Sequence, residues 1–300
     1  MRRRWALAFL LIAGFVAGCK TDRPVRASAW LDRFRRSSAP SGPDVVQLDV
    51  ALVERPVGDT YINRDLWTTA DEQVVALDRK AQLEDNGFRI GQIGGITPAG
   101  LQSLLTSEGS CVNPRRIQLR AGNPTTLSLG PTAHECCYQI EQDGQKVPVT
   151  LARVRCTLEV VPMLAKDGRT KLTFTPVIQH GDATLLPRPV ADSSGVKQWM
   201  FQEERPTERY PSLSWEVSLA PNEYVVIGAR FEKPATLGHQ CFIRKDEPAP
   251  VQRLLVIRTG RQPQSAHSPP GSLADEEPRP PRSPSLASQA TLTAARGVAP

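Results

Sequence analysis

The sequence predicts an α+β protein that is mainly β, with antiparallel strands, a small helical insertion and a disordered C-terminal tail. Between residues 45 and 259, many short segments alternate apolar and polar residues, a pattern typical of half-buried strands. One segment, from Asp65 to Asn86, instead carries apolar residues three and four positions apart, which predicts an amphipathic helix. Residues 261–300 are rich in Pro, Ser, Ala and Arg without apolar periodicity, and this composition predicts disorder.

The clearest strand pair is predicted between residues 157 and 181. Its inward residues are Leu158, Val160, Leu172 and Phe174. Asp167-Gly168 is predicted to form the turn, because Gly tolerates the positive φ that a two-residue hairpin loop requires. Pro162 and Pro176 lack an amide hydrogen, so each is predicted at an edge or where strand pairing lapses.

The segment from residue 45 to residue 110 is predicted to contain a strand, a helix, a strand and a second helix. The first strand, Val45 to Glu54, places Gln47 and Asp49 opposite its apolar face, so we expect that side to be solvated or to line an aqueous space. The long helix ends at Asn86-Gly87, where Gly suits the left-handed position after the last turn. The second helix is expected to begin with Thr97 as N-cap and Pro98 at its first position. The apolar stripe of the long helix is Trp67, Ala70, Val74, Leu77 and Ala81.

The second part, residues 111–260, is predicted to be mostly β. Strands are expected at residues 115–119, 125–129, 134–140, 147–161, 213–219, 224–231 and 252–259. The turn at residues 121–124 is expected to return the chain, and Asp143-Gly144 is predicted to form a second hairpin turn. Residues 183–209 lack periodicity and are interpreted as a long irregular loop, which indicates a functional or mobile segment. Trp199, Met200 and Phe201 form one apolar cluster inside it.

The order strand, Pro, turn, strand, Pro in residues 157–181 resembles the C-terminal β-domain of secretins, the outer-membrane pores of type II and III secretion systems. The runs VSLAPNEYVVIGARF (residues 217–231) and QRLLVIRT (residues 252–259) resemble the later strands of that domain. They depart from it at Asn222-Glu223, where the family has Asp-Gly, and at Ala229, where it has Gly. The strand that ends at Glu54 resembles its opening strand. The resemblance implies a secretin-like domain over residues 45–260 whose subunits associate through strand edges.

The N-terminus has the features of an export signal. Arg2, Arg3 and Arg4 precede an apolar run of 12 residues, Trp5 to Val16, which is too short to span a bilayer. The run ends in Val16-Ala17-Gly18-Cys19, which resembles a bacterial lipobox. The resemblance implies a signal peptide over residues 1–18 and a lipid, such as palmitate, on Cys19. A secretory signal cut nearby, or an uncleaved anchor, remains an alternative. Lys20, where inner-membrane lipoproteins carry Asp, favours the outer membrane, facing the periplasm.

Residues 19–44 are interpreted as a tether between the membrane and the domain. Trp30, Leu31 and Phe34 instead allow one helical turn lying on the bilayer beside basic residues. The net charge is +6, and removal of the three N-terminal arginines leaves 6 − 3 = 3. This charge is small and scattered, so we expect no nucleic-acid partner. The expected partners are the membrane, copies of the same chain and proteins of a secretion complex.

Five cysteines follow Cys19, and an exported protein permits disulfides between them. They are Cys111, Cys136, Cys137, Cys156 and Cys241. Their odd number leaves at least one thiol outside any intramolecular bond. Cys136 and Cys137 are adjacent and face opposite sides of a strand, whereas Cys156 shares an apolar face and is predicted to be buried. A bond between Cys111 and one of the adjacent pair is favoured, and the full connectivity stays open.

Two His-x-Cys pairs are the candidate metal ligands. Residues i and i+2 of a strand share a face, so His134 with Cys136 and His239 with Cys241 would together offer two nitrogens and two sulfurs to zinc. The pairs lie about 100 residues apart and do not match an established zinc spacing. The favoured interpretation is therefore that no metal or cofactor binds, with His at strand ends and thiols in the core.

No motif in the sequence indicates catalysis. The chain has no Gly-x-Ser-x-Gly, no phosphate-binding Gly loop and no His-Glu-x-x-His, which are the local signatures of common enzyme classes. We therefore expect a non-enzymatic lipoprotein of the cell envelope, part of a protein-secretion or pilus-type outer-membrane complex. The alternative is a ligand- or metal-binding envelope lipoprotein that forms no pore.

Overall fold

The mainly β, α+β architecture predicted from the sequence is confirmed. The computed structural model describes residues 44–142, 144–191, 197–245 and 249–260. The strands are β1 (Val45–Pro56), β2 (Phe88–Ile93), β3 (Cys111–Arg120), β4 (Thr125–Ser128), β5 (Ala133–Gln142), β6 (Gln145–Leu164), β7 (Thr170–Gln179), β8 (Thr184–Ala191), β9 (Lys197–Glu204), β10 (Thr207–Arg209), β11 (Trp215–Leu219), β12 (Tyr224–Ala229), β13 (Ile243–Arg244) and β14 (Val251–Thr259). The α-helices are α1 (Leu77–Asp85), α2 (Ala99–Thr106) and α3 (Leu237–Phe242).

The strands form two antiparallel sheets and a separate hairpin. The first sheet has the order β2-β12-β14-β1-β3, with β13 beside β14. The second has the order β10-β7-β6-β4, with β11 beside β7 and β5 beside β6. Strands β8 and β9 pair with each other and with no other strand of the described residues. Side chains from both sheets form one apolar core between them.

The first sheet is covered on both faces, which corrects the expectation of a solvated side on β1. Leu48 and Leu52 face the core between the sheets. Val53 on the opposite face packs into a second core with α2 and the short helical turns Tyr61–Asp65 and Leu66–Thr68. Asp49 also lies on this face and is only 1% exposed. Burial of its charge is compensated by Arg116, whose Nε lies 2.7 Å from Asp49 Oδ1.

The predicted hairpin of residues 157–181 is formed by β6 and β7, with Val160 opposite Phe174. All four inward residues are fully buried. The connection is a loop rather than the two-residue turn expected, because Ala165 and Arg169 still share a backbone hydrogen bond of 2.9 Å. Gly168 adopts φ +80° within it. Both prolines lie where pairing lapses on one side. The pairing of β6 with β4 ends at Val160, two residues before Pro162. Pro176 lies between the part of β7 that pairs with β11 and the part that pairs with β10.

The long helix predicted for residues 65–86 is wrong, and only α1 remains of it. Asp71 is extended and exchanges backbone hydrogen bonds of 2.8 and 2.9 Å with Gln92 of β2. This pairing interrupts the helix, since an extended residue cannot continue the i to i−4 ladder. Leu77, a member of the predicted stripe, is 79% exposed. Trp67 instead packs in the second core, with the Arg89 guanidinium 4.3 Å from the centre of its ring.

Two further connections differ from the expected ones. The predicted return after residue 120 does not form a hairpin, because β3 pairs with β1 in the first sheet and β4 pairs with β6 in the second. Helix α2 begins after Pro98, which occupies the N-cap position predicted for Thr97, and no side chain accepts a capping hydrogen bond there. Its hydroxyl lies 3.0 Å from the Tyr224 hydroxyl. Side-chain contacts with the sheet therefore take the place of the local cap.

Several predictions lie outside the described residues. These are the signal peptide, Cys19 and its lipid, the tether up to residue 43 and the tail over residues 261–300. Of the helices in the part of the chain that the structure describes, none is long and apolar enough to cross a bilayer.

Candidate functional site: an apolar hairpin and a thiol-lined cavity

Residues 183–209, expected to be an irregular loop, contain the hairpin β8–β9 instead. Its register pairs Pro187 with Phe201 and Pro189 with Trp199. Directly opposite residues of an antiparallel pair lie on the same face, so one face of the hairpin is apolar. Trp199 and Phe201 are 72% and 74% exposed. The apolar residues of this face are Leu185, Pro187, Pro189, Trp199 and Phe201, and Glu203 lies at its end opposite Leu185.

The opposite face of the hairpin is more polar, although it also carries Leu186 and the 55% exposed Met200. Arg188 and Glu204 form an ion pair there, with Nη2 of Arg188 2.7 Å from Oε2 of Glu204. Gln202 shares this face, because it lies opposite Leu186 and one residue from Phe201. The hairpin is thus amphipathic, and its apolar side has no cover within the described residues.

The outer edge of β8 is a poor place for another strand to pair. The two prolines carry no amide hydrogen, so the bonds that join β8 to β9 must come from the residues that alternate with them. The backbone of Pro187 and Pro189 therefore faces away from β9, and that free edge lacks two donors. Contacts through the hairpin are expected to use its apolar face rather than this edge.

The second feature is a cavity of about 380 Å³ between the end of the second sheet and α3. Three of the five cysteines line it: Cys136 from β5, Cys156 from β6 and Cys241 from α3. Cys136 and Cys241 are buried, while Cys156 is half-buried. The Cys156 thiol interacts electrostatically with the other two. Thiol groups in such an arrangement form disulfides or bind soft ligands.

Helix α3 is held at this cavity by contact between two glycines. Gly238 donates its amide to the Asn86 carbonyl at 2.8 Å. A Cβ at Gly238 would lie 2.4 Å from the backbone of Gly87, so no other residue allows this approach. Gly87 itself has φ +80° and follows α1, as predicted.

His239 on α3 is a buried polar group at the wall of the cavity. Its side chain is 5% exposed and lines the cavity, and its Nδ1 has no hydrogen-bond partner within the described chain. Burial, with a smaller contribution from Lys245, lowers the pKa of His239. The ring is therefore neutral at pH 7, because either effect disfavours the imidazolium.

The predicted metal set is only partly brought together. Cys136, His239 and Cys241 line the cavity, but His134 is exposed on β5 and does not line it. Among the described residues, no group of three His, Cys, Asp or Glu side chains is arranged to hold a metal ion. Cys156, and not His134, lines the cavity together with Cys136, His239 and Cys241.

The favoured bond between Cys111 and the adjacent cysteines is not formed. In the described residues all five cysteines are thiols. Cys111 lies in the second core, whereas Cys136 lies in the core between the sheets, so the first sheet separates them. Cys137 is exposed on the other side of β5 from Cys136, as predicted.

Other polar groups near these features have structural partners. Glu54 of β1 accepts a 2.6 Å hydrogen bond from Nε of the buried Arg253. The Tyr138 and Tyr210 hydroxyls lie 2.6 Å apart, and burial raises the pKa of both. These contacts join parts of the chain that are distant in sequence.

Comparison with known proteins gives a distant likeness to secretins. No family model and no curated protein matches the chain. The solved structures similar to it include the secretin domain β-barrel of InvG from the Salmonella SPI-1 injectisome, with 9% identity and a TM-score of 0.20 over 75% of this chain and 63% of that one. A second InvG structure from the same injectisome gives 10% identity, a TM-score of 0.20 and coverage of 75% and 64%. The chain thus spans less than two thirds of these proteins, and the values do not establish membership of their family.

Proposed function

We propose that this chain is a non-enzymatic lipoprotein of the bacterial cell envelope that works within a protein-secretion or pilus-type complex at the outer membrane. The observation that carries the proposal is the amphipathic hairpin β8–β9. Its Trp199 and Phe201 residues are 72% and 74% exposed, and contiguous apolar surface of this kind marks interaction sites. The lipobox-like residues ending at Cys19 add a means of anchoring the chain at the membrane.

The apolar face of the hairpin is proposed to pack against a neighbouring subunit of the complex. Aromatic side chains are enriched at protein interfaces, where they bury large areas with few rotatable bonds. The edge prolines Pro187 and Pro189 disfavour growth of the sheet by strand addition at β8, so contact through the face is favoured. Packing of the apolar face therefore differs from assembly of a ring in which neighbouring subunits pair strands at the free edge of β8.

The test is the native mass of the full-length protein in mild detergent, compared between two neighbouring substitutions. Phe201→Glu places a charge on the apolar face and is expected to dissociate the complex. Gln202→Glu introduces the same side chain one residue later, on the polar face, and is expected to leave the mass unchanged. A monomeric wild-type protein would contradict the proposal.

The anchor is tested separately by Cys19→Ser. This change removes the thiol that would carry the lipid, so we expect loss of acyl labelling and of tight membrane association. Unchanged labelling of the variant would overturn the lipoprotein part of the proposal. The native-mass comparison would still test the role of the hairpin.

A second candidate function is binding of a ligand by an envelope lipoprotein that forms no pore. It is favoured by the thiol-lined cavity, whose volume of about 380 Å³ falls within the range of small-molecule sites. A monomer in detergent that retains a small molecule or a stoichiometric metal ion would support this candidate over the first.

A further inference from the structure

The three cysteines of the cavity come from separate parts of the chain, yet all three lie next to one residue, Gln240. Gln240, next to Cys241 on α3, contacts two of them. The Cys136 Sγ lies 3.6 Å from its Oε1, and the Cys156 Sγ lies 3.8 Å from its main-chain oxygen. Cys156 also interacts electrostatically with both other thiols. Cys156 is therefore the central member of the group.

The backbone arrangement distinguishes the two pairs that Cys156 could form. Cys136 lies opposite Leu151 on β6, five residues away from Cys156, and it meets only the end of the Gln240 side chain. In contrast, Cys156 contacts the main chain of Gln240, which is bonded directly to Cys241. A disulfide requires the two Cα atoms to lie within about 7 Å. This requirement favours Cys241 over Cys136.

We propose that Cys156 and Cys241 form a disulfide that ties α3 to the second sheet, with Cys136 as a third thiol beside it. The bond would close a loop of 241 − 156 = 85 residues. Closing a long loop restricts the unfolded chain strongly, which stabilises the folded state. The presence of the bond in cells rests on the proposed envelope location, because oxidising compartments preserve disulfides. The reaction of the thiols themselves does not depend on that location.

The oxidant is a second disulfide, either a small molecule or a thiol–disulfide oxidoreductase. One cysteine thiolate attacks a sulfur of the oxidant and releases the first thiol, which leaves a mixed disulfide. The other cysteine loses its proton and attacks the mixed disulfide, and the second thiol leaves. Two protein thiols and one oxidant disulfide thus become one protein disulfide and two thiols. The protons of the cysteines end on the released thiols.

The environment of Cys156 affects the rate of this exchange. A hydrogen bond from Cys136 favours its thiolate, but the hydrogen bond with Cys241 and burial outweigh it and raise the pKa of Cys156 well above the usual value. Because the thiolate is the nucleophile, the rate is expected to rise with pH, by about tenfold per unit while the thiol predominates.

The experiment uses the full-length protein in mild detergent, incubated with oxidised glutathione and digested without reduction. We expect a linked peptide containing Cys156 and Cys241. We also expect thermal unfolding to shift upward by about 10 °C relative to the reduced protein, and dithiothreitol to reverse the shift. Cys137→Ser removes the exposed cysteine outside the cavity and should retain both results. Cys241→Ser should lose both.

Three results would overturn the inference. These are recovery of alkylated Cys156 after oxidation, a linked peptide that joins Cys156 to Cys136, and a stoichiometric metal ion that blocks oxidation of all three thiols. The linked peptide is measured on the wild-type protein, so a poorly folded variant does not obscure the outcome. Failure of the bond in detergent contradicts this inference alone. A bond that forms in detergent but is absent from protein isolated under thiol trapping contradicts the proposed envelope location.

Discussion

The hairpin β6–β7 is the part of the fold where a single substitution gives the sharpest test. Phe174 is fully buried and lies between Val160 of β6 and Trp215 of β11. Its ring stacks on that of Trp215, with centroids 5.1 Å apart and an interplanar angle of 15°. Phe174→Ala removes this contact and leaves a cavity, so we expect a loss of about 3–5 kcal/mol in unfolding free energy.

The assay is thermal unfolding of the full-length protein, with urea unfolding as a second measurement. For a domain of this size each kcal/mol shifts Tm by roughly 2–4 °C, so Phe174→Ala is expected to lower Tm by roughly 6–20 °C. The urea midpoint should fall while the slope stays constant, because the surface exposed on unfolding changes little.

The matched control is Thr173→Ala, one residue earlier on the opposite face. Thr173 is partly exposed, and its hydroxyl donates to Glu216 Oε1 at 3.2 Å. Loss of such a bond is expected to cost under about 1 kcal/mol. Equal losses of unfolding free energy in Thr173→Ala and Phe174→Ala would refute the alternation of buried and exposed residues, and with it the assignment of β7 as a strand.

Two further predictions concern buried charge. Asp49→Ala leaves Arg116 and Arg258 without the carboxylate that lies 2.7 and 4.0 Å from them, so unfolding free energy should fall by about 3–5 kcal/mol. Asp182→Ala, which removes an exposed partner of Arg153, should cost under about 1 kcal/mol in the same urea assay. The pKa of His239 is lowered on folding, so the unfolded chain binds its proton more readily, and stability should fall as pH drops below about 6.5. His239→Gln should flatten this fall, whereas His134→Gln at an exposed site should not. An unchanged pH profile in His239→Gln would contradict the assignment.

The sequence predicted the elements whose causes are local. Apolar alternation located β1, β7 and β14, because a strand buried on one face imposes period two on its residues. The Gly87 prediction also held, since a left-handed residue after a helix is a local requirement. The apolar stripe of residues 67–81 failed, because Asp71 finds its backbone partner in Gln92 of another strand. Pairing with a distant strand overrides the helical preference of the segment, and no local pattern reports it.

The hairpin β8–β9 was missed for a similar reason. Pro187 and Pro189 argue against a strand, and their segment was therefore interpreted as a loop. Strands tolerate proline only where no donor is needed, and whether a residue faces a partner or a free edge depends on the pairing. The sequence identified the exposed aromatic residues of the hairpin, but not the register that brings Trp199 and Phe201 onto one face.

The grouping of the three cysteines depends on a distortion of β6 that the alternation of apolar and polar residues does not reveal. Before residue 153, the odd-numbered residues Val149 and Leu151 pack against the core between the sheets. After it, the even-numbered residues Val154 and Cys156 face this core. Arg153, at the change, has φ +53°, a conformation that is uncommon outside glycine. An extra residue of this kind shifts the alternation from odd to even positions. Had period two continued from Leu151, Cys156 would face away from Cys136. The distortion at Arg153 therefore brings cysteines of β5 and β6 to one cavity, where α3 supplies the third.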